Sequence, residues 1–122
     1  MEDQLGLKTD KIFISGDSAG GNLTLAVTNM AIKKGIRHPD FVMPTYPALR
    51  ISMKNFSPSM FLSFDDPVLP SGFLKMCLES YCEDANGDKD YFLSPALTPD
   101  NILKNYPPVR ILTAGNDPLR DE

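Results

Sequence analysis

The 122-residue chain reads as an α/β fold of about three parallel strands with crossover helices. Three observations lead there. Apolar runs at Ile12–Ile14, in "PDFVMPTYP" (39–47) and at Val109–Ala114 have the short, bounded character of strands buried on both faces. Helical patterns separate them. Glycine- or proline-bearing turns close each run. Strand, helix, strand, helix, strand in that order implies parallel strands with right-handed crossovers.

The first turn carries the chemistry. In "KIFISGDSAGGNLTLAV" (11–27) an apolar strand runs into Gly16-Asp17-Ser18-Ala19-Gly20 and then into a helix, on which Leu23, Val27, Met30 and Ala31 recur at helical spacing. The five residues match G-x-S-x-G in a strand–turn–helix setting. Gly16 and Gly20 are expected to let strand and helix approach around a strained residue without Cβ clashes. The strain would hold the Ser18 hydroxyl at the apex. The helix would aim its free N–H groups and positive dipole end at that spot. An oxyanion formed there would be stabilised, notably by the Ala19 N–H. A Walker-type phosphate loop is excluded because no lysine lies between Lys11 and Lys33, and no window fits G-x-G-x-x-G.

The remaining elements follow in order. The first helix is expected from Ser18 to Lys34, ending at Gly35. The second strand breaks at Pro47, and residues 48–66 read as irregular. "LPSGFLKMCLESYC" (69–82) is predicted helical, with Phe73, Leu74, Met76, Cys77 and Tyr81 on one face and Ser71 as cap. Cys77 and Cys82 lie five apart there, which fits two reduced core thiols better than a disulfide or a metal site. "DANGDKD" (84–90) is a solvated loop, and its D-x-N-x-D spacing fails as a calcium loop because Lys89 replaces the glycine and Pro95 the glutamate. "TPDNIL" (98–103) predicts a short helix with Thr98 as cap and Pro99 at its first position. Met60, Phe61, Leu62 and Phe64 are expected as ordinary core packing in preference to an acyl pocket.

Composition sets the outer bounds. Hydrophobic residues make up 42% and charged residues 23%, as in ordinary soluble globular domains. The net charge of −4 with no basic cluster argues against nucleic-acid binding. No apolar run approaches a membrane span of ~20 residues. The polar, acidic start lacks a signal-peptide core, and with the reduced thiols this predicts a cytoplasmic protein.

A second constellation completes the reading. In a parallel sheet, the loops after the carboxyl ends of the strands share one rim. Ser18 follows the first strand and Asp117 the third, so both belong there. Ser then Asp is the order of the first two members of a Ser…Asp…His triad. A turn aspartate before Pro118 fits the spacing equally well.

"GDSAGGNL" (16–23), "YPAL" (46–49), "LSPAL" (93–97) and "DPLRDE" (117–122) resemble, in order and approximate spacing, the hormone-sensitive lipase family of α/β-hydrolases. "DDPVLPSGFL" (65–74) and "PDNILKNYPPV" (99–109) carry the same resemblance, which spans nearly the whole chain. It implies a partial α/β-hydrolase catalytic domain over residues 1–122. The implied activity is serine-dependent hydrolysis of carboxylic acyl esters, with no metal or organic cofactor. The substrate would be a small-molecule or lipid ester, with lipid-surface association open to the full-length protein. Ser18 matches the nucleophile, Asp117 the triad acid and the Ala19 N–H an oxyanion donor. Gly16, Asp17, Gly20 and Gly21 match the elbow. Asp17 and Asn22 are expected to do structural work there, and the role of Glu122 is open. The chain departs from the family in lacking the H-G-G-G oxyanion loop and lid segment before the serine, and the histidine after Asp117. His38, the only histidine, is no substitute: a helix from Ser18 to Lys34 covers ~25 Å at ~1.5 Å per residue, which carries His38 to the opposite rim. These residues are therefore expected to be an inactive excerpt of a larger enzyme. The first strand would expose a bare, association-prone edge. A ligand-binding pseudoenzyme of the same fold is the alternative.

Overall fold

The computed structural model describes residues 6, 10–52, 54 and 56–122. Strand β1 (Phe13–Asp17) pairs in parallel with β2 (Phe41–Thr45), in register from Phe13 opposite Phe41 to Asp17 opposite Thr45. Helix α1 (Ala19–Lys34) makes the crossover between them. Gly35 ends it in the left-handed conformation, φ 62°, and its N–H bonds back to Ile32 O while Ile36 N–H bonds to Ala31 O. Those bonds close a helix terminus that a Cβ at Gly35 would strain.

The third predicted strand joins β2 on the other side, in the same direction, but only as two isolated bridges, Val42 with Val109 and Thr45 with Leu112. Pro44 is the reason. Arg110 N–H donates to Val42 O and Leu112 N–H to Pro44 O, but Pro44 has no N–H to return a bond between them. The segment order is thus β1, β2, then 109–112. Among the described residues β1 is an edge, and Phe13 on it is 71% exposed.

Three short elements follow: α2 (Pro58–Leu62), α3 (Ser71–Cys82) and α4 (Asp100–Leu103), with a 3₁₀ turn at Pro95–Leu97 before α4. The capping expectations need correction. The Ser71 hydroxyl donates to Met60 O at 2.6 Å, which staples α3 to α2, and Pro70 occupies the cap position. Thr98 is also drawn elsewhere: its hydroxyl donates to Pro95 O and accepts from Asn29 Nδ2 at 2.8 Å. Ser57 caps α2 instead, accepting from Met60 N–H.

The buried faces differ from the apolar stripes. Helix α1 turns Gly21, Asn22, Thr24, Thr28 and Asn29 inward and leaves Leu23, Val27 and Met30 exposed. Small and hydrogen-bonding side chains suit this face. Asn29 binds Thr98 and Tyr91 O, and accepts from the Tyr106 hydroxyl at 2.7 Å. Burial there pushes the Tyr106 phenol pKa up. Helix α3 buries Leu74, Leu78 and Cys82, while Phe73, Met76, Cys77 and Tyr81 are exposed. Both cysteines are free, but only Cys82 is a core thiol. Of the four residues expected in the core at 60–64, Met60 is buried, whereas Phe61, Leu62 and Phe64 are exposed. The core gathers Ala48, Ile51, Met60, Leu74, Leu78, Cys82 and Leu119. Ala48 and Ile51 come from a strap, residues 48–51, that follows β2 after Tyr46 and Pro47. The 84–90 loop packs on the strap at Gly87, where a Cβ would collide with the Ile51 carbonyl.

Candidate active site

Ser18 stands between β1 and α1 at φ 52°, ψ −117°, a conformation that a non-glycine residue adopts only at a cost of about 1–3 kcal/mol. Its backbone is held at both ends: the N–H donates to Thr45 O at 2.9 Å, and the carbonyl accepts from Asn22 N–H at 3.1 Å. Its side chain does not cap α1. Ser18 is therefore half-buried and strained in its backbone, and its hydroxyl has no hydrogen-bond partner among the described residues. With the Ser18 N–H spent on Thr45, the N–H groups of the first turn of α1, Ala19's among them, point toward the same spot.

The glycines divide the work unevenly. A Cβ on Gly16 would lie 2.6 Å from the Gly20 backbone, and one on Gly21 would lie 2.9 Å from Pro47 Cβ. A Cβ on Gly20 would meet nothing within 4 Å. Close approach thus requires Gly16 and Gly21, with Gly20 contributing only the backbone that Gly16 abuts. Asn22, buried, donates to Ala48 O and Leu93 O at 2.7 Å each, so it ties the helix to the "YPAL" and "LSPAL" segments. Asp17, expected to do structural work, is exposed, and its carboxylate bonds to none of the described residues.

Ser18 and Ala19 open onto a cleft of about 310 Å³ whose walls are almost wholly apolar, including Leu69, Leu74, Tyr81 and Leu119. Periodicity groups Leu74, Cys77 and Tyr81 on α3, but other parts of the wall come from α1, residues 48–51, Leu69 and Leu119, which no single pattern joins. Tyr46 was missed too. It holds φ 35° at the carboxyl end of β2, and its N–H donates to Leu112 O at 2.6 Å. Strain at a pre-proline residue leaves no sequence signal, because proline normally favours an extended neighbour.

Asp117 follows the 109–112 segment and so shares the rim with Ser18. Its Oδ1 accepts from Leu119 N–H at 2.9 Å, and its carbonyl from Arg120 N–H. The two residues line different clefts: Asp117 faces a polar one with Ser59, Asp66 and Arg120. Leu119 stands in the wall of the serine's cleft. His38 precedes β2 at the far end of the sheet, where its Nδ1 is paired with Pro39 O at 2.9 Å. Glu122 ends the same loop, with the Arg50 N–H 3.4 Å from its Oε2 and its own N–H directed at Leu119 O. Burial raises its pKa to about 7, the Asp117 charge adds to the rise, and the Arg50 and Leu49 N–H groups oppose it. Among the described residues no cluster of His, Cys, Asp and Glu has the makings of a metal site, and no helix is long and apolar enough to cross a membrane.

The profile of the alpha/beta hydrolase fold family matches residues 1–122. Mouse hormone-sensitive lipase is 42% identical over 79 residues, 65% of this chain and 10% of its own length. Carboxylesterase NlhH of Mycobacterium tuberculosis is 32% identical over 121 residues, 98% of this chain and 37% of its own. Among solved structures, the Pyrobaculum calidifontis esterase superposes with a TM-score of 0.81 at 30% identity, covering 98% of this chain and 38% of that one. Carboxyl esterase 2 of Tuber melanosporum gives 0.86 at 26% identity, covering 97% and 38%. The chain therefore spans about a tenth of the hormone-sensitive lipase it matches, and little more than a third of these esterases. With a profile match over its whole length, this chain belongs to the alpha/beta hydrolase fold family, and the relatives it matches are lipases and esterases.

Proposed function

We propose that these residues supply the nucleophile and the acid of a serine-dependent hydrolase of acyl esters. The observation that carries the reading is the uncommitted Ser18 hydroxyl, fixed at φ 52° on the floor of an apolar cleft. An acyl chain fits those walls, with the scissile carbonyl at the helix start. Ser18 Oγ attacks the carbonyl carbon, and the Ala19 N–H receives the developing oxyanion. The hydroxyl proton passes to an imidazole and then to the departing alcohol; water, activated the same way, releases the acid. Asp117 holds that imidazole and stabilises its cation. His38 lies too far away to be the base, so the imidazole comes from outside these 122 residues, which are inactive by themselves. No metal or organic cofactor enters the scheme.

Phe61, Leu62, Phe64 and Val68 support a lipid–water interface as the place of work, since Leu62 and Val68 are 81% and 86% exposed. Two free thiols support a reducing, cytoplasmic setting. The distance of His38 from the rim is the observation that favours a non-catalytic ligand binder. Turnover of a short-chain nitrophenyl ester by the polypeptide that carries this chain and its histidine separates the two. Hydrolysis that disappears in Ser18→Ala supports the enzyme. Ligand binding without hydrolysis supports the binder.

A further inference from the structure

Glu122 matches a motif position to which neither the nucleophile nor the acid gives a task. Its surroundings supply one. The strap Ala48–Ile51 separates the serine's helix from the acid's loop, and most of its polar groups are pinned. Asn22 Nδ2 donates to Ala48 O at 2.7 Å, Ala96 N–H to Leu49 O at 3.0 Å, and Ile51 N–H to Ser94 Oγ at 2.8 Å. Of the remaining amides, that of Arg50 reaches the Glu122 carboxylate, its N–H 3.4 Å from Oε2.

We propose that Glu122 is a positioning residue for Asp117, tying the acid's loop to the strap that Asn22 fastens to the nucleophile's helix. The inference rests on the hydrolase reading and deepens it. The linkage runs Ser18, helix α1, Asn22, Ala48, Leu49–Arg50, Glu122 and Asp117. It crosses between two clefts that share no lining residue. Leu119 supports it from below by packing with Ala48 and Ile51 in the core. The charged groups facing Glu122 are Asp117 and Arg50. Asp121, beside it in sequence, is engaged with Arg120 and with Ser59 N–H. A carboxylate set beside a second carboxylate is costly, so this placement calls for a purpose that an apolar residue would not serve. A backbone donor of the strap aimed at the carboxylate fixes the loop's height on the rim, and an imidazole held by Asp117 inherits that height.

The test uses the polypeptide that carries this chain and its histidine, as wild type, Glu122→Ala and Glu122→Gln. Glu122→Ala should lower kcat about tenfold with KM within about twofold, because the acid is displaced while most of the acyl cleft, built on α1 and α3, is not. Glu122→Gln keeps an acceptor oxygen and should recover most of that loss. Hydrogen exchange gives a second readout independent of turnover: Glu122→Ala should speed exchange of the Leu49 and Arg50 amides and of Leu119–Asp121, and leave Ser18–Asn22 unchanged. An unchanged kcat in Glu122→Ala, a Glu122→Gln variant as impaired as Glu122→Ala, or unchanged exchange at Leu49 and Arg50 would each overturn the proposal. If the wild type hydrolyses nothing, the hydrolase reading fails, and the exchange measurement still decides whether the tie exists.

Discussion

The elbow at residues 16–22 and the loop at 117–122 stand on one rim and are held by opposite means. The elbow is fixed by lack of space: two positions that admit no Cβ and one residue forced to positive φ. The loop is fixed by carboxylates. Asp117 takes the Leu119 N–H, Asp121 takes Ser59 N–H at 3.1 Å, and Glu122 faces the strap. Steric fixation is rigid and indifferent to pH. Carboxylate fixation depends on charge. A nucleophile needs the first kind, because its attack angle tolerates little error. An acid that only orients a partner functions with the second.

The comparison breaks first at the proposed nucleophile and the proposed acid. Ser18→Ala should reduce ester turnover by at least about 10⁴-fold, and Asp117→Asn by about 10³-fold or more, read as kcat/KM in the complete enzyme. A deeper loss at Asp117 than at Ser18 would reverse the assigned roles.

Steric fixation is sharpened by a pair of matched substitutions. Gly16→Ala forces a methyl against the Gly20 backbone and should destabilise by about 1–3 kcal/mol. Gly20→Ala meets open space at an ordinary helical position and should change stability by less than about 1 kcal/mol, in the stabilising direction. Urea unfolding of both variants checks this. Equal losses would mean that crowding at Gly16 does not hold the turn.

Asn22→Ala comes next. It removes two 2.7 Å bonds and leaves two carbonyls short of a partner, for an expected cost of about 2–3 kcal/mol by the same measurement. A loss below about 0.5 kcal/mol would make the tie between helix and strap dispensable.

The pH dependence belongs to the carboxylates. Glu122 is raised to about 7, so between its ordinary value near 4.5 and about 7 the folded chain binds more protons than the unfolded one, and stability falls as pH rises across that window. Asp121, lowered chiefly by the Arg120 guanidinium, contributes in the other direction: its stabilisation is present above its ordinary value of 3.8 and is lost as pH falls below it. Glu122→Gln should flatten the slope between pH 4.5 and 7 and leave the acid limb unchanged. A slope unaltered by that substitution would assign the titration to another group.

How much of this was legible follows from the same contrast. Crowding writes itself into sequence as glycines at set spacings, so the turn, the strained serine, the helix end at Gly35 and the parallel order were all readable. The carboxylate loop was not: "DPLRDE" became interpretable only through resemblance, since an aspartate before proline suits any turn. The helix faces were misleading for a further reason. Leu23, Val27 and Met30 mark α1 as a helix without being its buried face, which needs Gly21 for close approach and Asn22 and Asn29 for hydrogen bonds to the segments at 48, 91–98 and 106. The third strand looked regular because "VRILTA" has strand composition. Its interruption comes from Pro44 on the neighbouring strand, which periodicity within one segment cannot register. The caps expected at Ser71 and Thr98 failed because tertiary partners, Met60 O and Asn29, claim those hydroxyls.

The central claim is that Ser18 is the attacking group, and the most direct measurement is mass-spectrometric mapping of a fluorophosphonate adduct on the complete, active protein. The account predicts one stoichiometric adduct on the Ser18 peptide, formed in step with loss of ester turnover. Inactivation with the adduct on another residue, or full turnover with Ser18 wholly modified, would contradict it.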